Sequence, residues 1–173
     1  MPKKRKKQRK PAAGRDRRPP NQAARLVTAF RTWRIERGLN PDDAGILEPL
    51  IELKRDYLDV PDPAVWPDQE TYELLTQVLP RKVHVPQEEY DLIAPMMDDF
   101  FTFLHETGRW SPQSMPFDDV PDLVGELTRD VPEALQDPAN RSFGGNIIAY
   151  ALSQGIDPSD EAAMAEFIQR YNE

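Results

Sequence analysis

The chain predicts an all-α fold, an irregular orthogonal bundle of about six to eight short helices behind a disordered, basic N-terminal tail. Three observations carry this expectation. Apolar residues recur at three- and four-residue spacing, capping residues and prolines punctuate those runs, and no alternating strand pair or internal repeat occurs. At 173 residues, the length suits one domain with a tail: residues 1–20 as the tail and 21–173 as a single acidic helical domain.

Asn21 is placed to cap a first helix over residues 21–37, where Leu26, Val27, Phe30 and Trp33 share one face and Gly38 supplies a left-handed stop. Asn40-Pro41-Asp42-Asp43 is a second start: a capping side chain, a proline in the first turn, and two carboxylates at the positive helix end. Leu47, Leu50, Ile51, Lys54 and Leu58 continue the pattern, and Pro49 predicts a kink or a division. A rigid turn at Val60-Pro61-Asp62-Pro63 and a start at Trp66-Pro67-Asp68 come next. The helix after them carries Tyr72, Leu75, Val78 and Leu79, is expected to stop at Pro80, and leads to a short extended piece over 81–85.

The longest apolar pattern covers residues 86–107, with Tyr90, Ile93, Met97, Phe100, Phe101 and Leu104 on one side, a bend at Pro95 and a stop at Gly108. A loop over 112–117 precedes two short helices, 120–129 and 131–136. Asp137-Pro138 opens a helix with Phe143, Ile147, Ile148, Tyr150 and Ala151 that ends at Gly155. Asp157-Pro158-Ser159-Asp160 starts the last, with Ala163, Met164, Phe167, Ile168 and Tyr171.

Charge is the main functional signal. Residues 1–18 hold ten of the chain's 22 Lys/Arg and one of its 30 Asp/Glu, a local net charge of +9. The remaining 12 basic and 29 acidic residues give 19–173 a net charge of −17. Lys3, Lys4, Arg5, Lys6, Lys7, Arg9, Lys10, Arg15, Arg17 and Arg18 are the candidate phosphate contacts, because a dense Lys/Arg run displaces condensed counterions from RNA or DNA without reading sequence. The same run has the clustered basic pattern of a nuclear localisation signal. With no interleaved aromatic, it offers no base stacking. A −17 body repels a duplex, so the expected division of labour is a tail on nucleic acid and a body on a protein partner. Arg25, Arg31, Arg34 and Arg37 either extend the basic field along the first helix or pair with acidic neighbours.

Phe100, Phe101, Phe103 and Trp110 crowd an eleven-residue stretch with more aromatic surface than one helical stripe buries. Phe100, Phe103 and Trp110 are therefore candidate partner-binding residues. Gly144-Gly145 beside Arg141 offers either close helix packing or a backbone surface for an anion.

Enzyme signatures are missing. His84 and His105 fall on different elements, no Glu-x-x-His or His-Glu-x-x-His occurs, and neither a phosphate-cradling Gly-Lys loop nor a Gly-x-Ser-x-Gly elbow is present. Zero cysteines exclude a disulfide framework, a thiolate metal site and a cysteine nucleophile. No apolar run approaches the roughly 18 residues of a membrane span, and the basic N-terminus lacks the apolar stretch of a secretory signal. The expectation is a non-catalytic, cytoplasmic binding protein without a cofactor.

The segments DDFFTFLHETGRW (98–110) and GIDPSDEAAMAEFIQRYN (155–172) resemble stretches in helical proteins of high-GC actinobacteria whose chemistry is uncharacterised. The first also resembles the N-terminal helical domain of tyrosine recombinases, in which a similar helix packs against DNA. No catalytic domain follows it in this sequence, so recombinase activity does not carry over. The resemblance implies a bacterial cytosol and no particular reaction, and it weighs against the nuclear reading.

Overall fold

The computed structural model describes residues 22–140 and 143–171, and among them there are eight α-helical segments, several 3₁₀ turns and no strand. The predicted cap Asn21 lies outside the described residues.

Helix α1 (Gln22–Glu36) buries Ala23, Leu26, Val27, Phe30 and Trp33 and ends at Gly38, whose φ of +71° a side chain rarely adopts. Asn40 then caps as its sequence predicts, its side chain accepting from the Asp42 amide at 3.1 Å. The turn it opens is 3₁₀ (Pro41–Ile46) and passes directly into α2 (Leu47–Leu58). Pro49 therefore sits in the first turn of α2, where a missing N–H costs little. The tighter 3₁₀ geometry upstream removes the carbonyl its ring would strike. Pro95 is handled the same way: a 3₁₀ turn (Gln87–Leu92) precedes α5 (Ile93–Glu106), with Pro95 in its first turn.

Two expected breaks are absent. Pro80 does not stop its helix. Helix α3 (Asp68–Glu73) widens into a π turn over Leu74–Val78, where the Leu79 amide reaches back to the Leu74 carbonyl, and α4 (Leu79–Lys82) carries Pro80 onward. Widening relieves the i−4 clash and leaves Leu74, Leu75 and Leu79 fully buried. Val83 finally leaves the helix in an extended conformation, so the extended piece begins there and not at Arg81. The two short helices expected over 120–129 and 131–136 are one, since α6 (Val120–Gln136) runs through Pro132. The carbonyl that Pro132 deprives of a donor belongs to exposed Thr128, within reach of water, while buried Leu123, Leu127, Val131 and Leu135 pin the helix to the core.

Helix α5 is the central element, with Ile93, Met96, Met97, Phe100, Phe101, Phe103 and Leu104 buried against α1, α6 and the 59–66 segment. A single core runs from Ala23 to Leu135. After a 3₁₀ turn at Pro138–Asn140, α7 (Phe143–Ser153) and α8 (Glu161–Tyr171) pack on each other, with the Tyr150 ring 5.6 Å from Phe167 and both Ala151 and Phe167 buried. Asp160 caps α8 as predicted, accepting from the amides of Ala162 and Ala163.

Candidate functional site

Arg34 holds Asn40 and Asp43, which stand in the wall of a groove. Its guanidinium, 4% exposed, donates from Nε to the Asn40 carbonyl at 2.8 Å, from one terminal nitrogen to Asp99 at 2.6 Å and from the other to Asp43 at 2.9 Å. Asn40 also donates to Asp43, at 2.8 Å. This set of donors fixes the corner between α1 and the Pro41–Ile46 turn, because a planar guanidinium holds its acceptors in one geometry. Burial pushes the Asp99 carboxyl above its ordinary range, against the pull of Arg34.

Facing that corner are residues 83–93, and between the two lies a groove of about 530 Å³. Ile46, Pro49, Val83, Val85, Leu92 and Ile93 give it an apolar lining, and Asp42, Asp43, His84 and Glu89 stand in or beside it. Asp43 is engaged by Arg34 and Asn40. Among the described residues, the carboxylates of Asp42 and Glu89 have no ion-pair or hydrogen-bond partner. Glu89 and Leu92 are three apart on a 3₁₀ turn and so project together, and Leu92 is 46% exposed. The backbone N–H and C=O groups of His84 and Val85 make no hydrogen bond within the described residues. The groove thus combines an apolar floor with carboxylates that have no partner among the described residues.

The ten basic candidates from Lys3 to Arg18 lie outside the described residues. Of the α1 arginines, Arg34 is buried in its network, while Arg37 pairs with Glu106 and lies 3.9 Å over the Trp33 ring. Arg25 and Arg31 remain exposed. The helix is therefore divided between internal pairing and free charge.

The aromatic candidates require correction. Phe100 and Phe103 are core residues, 0% and 2% exposed, in a cluster with Phe30, Trp33, Trp66 and Phe101. Phe100 lies edge-on to Phe30 and Trp66 at ring distances of 5.2 and 5.6 Å. Trp110 is half-buried, donates to the Met115 carbonyl at 3.1 Å, and packs edge-on against Phe101 and Phe117. Helix α5 is covered on more than one side, so its aromatics exceed a single stripe without forming a surface patch.

His105 stacks on Phe117 at a ring distance of 3.8 Å, and His84 stands at the groove, so the two histidines do not converge. Gly144 and Gly145 open α7, while Arg141, their expected anion-binding companion, lies outside the described residues. Among the described residues no His, Asp and Glu group is arranged to hold a metal ion, and no helix is long and apolar enough to cross a membrane.

The chain is an all-α protein with an acidic, partly apolar groove. Comparison with known families, curated proteins and solved structures returns no match in any of the three.

Proposed function

We propose that this is a non-catalytic binding protein of the cytoplasm, whose tail contacts RNA or DNA phosphates without sequence preference while its acidic helical body holds a protein partner. The observation that carries the reading is the charge split, +9 over residues 1–18 against −17 over the remainder. Opposite fields on one chain keep the body off a polyanion that the tail attracts, so the body is free to hold something else. The groove supports the second half of the reading. Its lining favours an extended, Lys/Arg-bearing segment of a partner over a compact anionic ligand.

The test compares the full chain with a variant in which the ten basic tail residues are changed to Gln, using RNA and duplex DNA at low and physiological salt. The expected result is binding by the full chain with a steep salt dependence and its loss in the variant. If six or more phosphates are engaged, affinity falls on the order of a thousandfold between about 50 and 200 mM salt. Equal binding by both chains, or binding by neither at physiological salt, overturns the nucleic-acid half. A protein–protein adaptor without a nucleic-acid role then becomes the reading to pursue.

A further inference from the structure

We infer that the groove between the Asn40–Pro49 corner and residues 83–93 is the docking site of the chain's own basic segment, residues 3–10, and that docking there and phosphate binding by that segment exclude each other. The inference rests on the tail being the nucleic-acid contact, as proposed above, and adds a regulatory contact to it.

Charge complementarity is the first argument. Residues 3–10 hold seven Lys/Arg in eight positions. The groove offers the carboxylates of Asp42 and Glu89, which have no partner among the described residues, with exposed Glu88 and Asp91 on the same 3₁₀ turn as Glu89. Side-chain shape is the second. Lys and Arg place aliphatic stems on apolar surface while their heads stay solvated or paired, which matches a floor of Ile46, Val85 and Leu92 beneath a carboxylate rim.

Reach is the third argument. The groove lies at the C-terminal end of α1, about 22 Å along a 15-residue helix from Gln22. Gln22 lies twelve positions beyond Lys10, a stretch that spans up to about 40 Å when extended. Covalent attachment therefore allows residues 3–10 to lie along the groove with slack to round the helix. It also gives them a local concentration that a separate basic peptide has to exceed.

The experiment uses the full chain. Because it has no cysteine, Gln8→Cys provides a single attachment point for a nitroxide spin label, and amide signals report which surface the label approaches. The expected result is selective broadening at His84, Glu89 and Leu92 at low salt, with Asp130 and Tyr150 unaffected. The broadening should disappear in Glu89→Lys and on addition of single-stranded RNA. Glu89→Lys should also strengthen RNA binding by the full chain, by the reciprocal of the undocked fraction. Leu92→Ser provides a second variant that alters the floor without altering charge, and it should weaken the broadening in part.

Broadening centred elsewhere, broadening unchanged by Glu89→Lys, or none at all overturns the docking. Broadening that weakens when labelled chain is diluted with unlabelled chain assigns the contact to a second copy and overturns the intramolecular form. If the groove signals broaden as expected but RNA neither binds nor releases them, docking stands while the mutual exclusion and the nucleic-acid reading both fail. The two failures are thus told apart.

Discussion

The ammonium of Lys54 lies 3.9 Å from the ring centroid of Trp66 and donates hydrogen bonds to the carbonyls of Asp62 and Val65. A lysine with no exposed surface thus fastens α2 to the proline-rich turn beneath Trp66, which is itself fully buried. Its three protons meet two carbonyls and a ring face, the arrangement that makes a buried cation tolerable.

Stability should depend on pH through Lys54. Burial lowers its pKa to about 7, with Asp62 pulling the other way. Between about 7 and 10.5 the unfolded chain holds a proton at this site that the folded chain has largely lost, so stability rises with pH across that interval and is insensitive to Lys54 below it. The hydrogen bond from Tyr72 to Asp130 holds the Tyr72 phenol above its ordinary range, which confines its own contribution to more alkaline pH. Denaturant midpoints measured between about pH 7.5 and 9.5 should rise, by at most about 2–3 kcal/mol of stability. The Lys54→Met variant should flatten the profile, and an unchanged slope in that variant would assign the dependence to other groups.

Removing Arg34 strands several polar groups at once. Arg34→Met leaves Asp99 and the Asn40 carbonyl without this donor, and Asp43 with the Asn40 amide alone, and should cost about 3–5 kcal/mol in chemical denaturation. Arg34→Lys keeps the charge but loses the planar fork and should recover only part of the loss.

Glu106 makes a useful contrast. It accepts from Trp33 at 3.1 Å and pairs with Arg37, yet its side chain is 43% exposed. Glu106→Ala should change stability by less than about 1 kcal/mol, because water screens the pair and replaces the lost acceptor.

Phe100→Ala should cost about 3–5 kcal/mol through the cavity it opens between Phe30 and Trp66. Leu92→Ser, at an exposed position on the groove, should leave the midpoint within about 0.5 kcal/mol. If Leu92→Ser destabilises the fold as much as Phe100→Ala, Leu92 belongs to the core and the groove loses its apolar floor.

Local chemistry made much of the fold legible in advance. Asn40 and Asp160 accept from backbone amides at helix starts, and Gly38, Gly108 and Gly155 stop helices at positive φ, because caps and left-handed residues act within a few positions of themselves. The expected stop at Pro80 and the expected division near residue 130 fail for the opposite reason. Whether a proline breaks a helix depends on whether the preceding backbone can widen, or the freed carbonyl can be solvated, and tertiary packing decides both. Periodicity likewise put Phe100 on an apolar face, but it could not count the elements that cover α5.

The sequence by itself determined the all-α class, most helix starts and stops, and the opposition between a basic tail and an acidic body. Each of these follows from side-chain chemistry and spacing along one stretch of chain. Only the tertiary structure decided that Arg34 is spent on Asp43 and Asp99, that Lys54 is buried under Trp66, and that Phe100 and Phe103 belong to the core. It also brought residues 40–49 to face residues 83–93, leaving Asp42, Glu89 and Leu92 around one groove. Those outcomes join residues tens of positions apart, and such pairings are set by how helices cover one another, which no local pattern encodes.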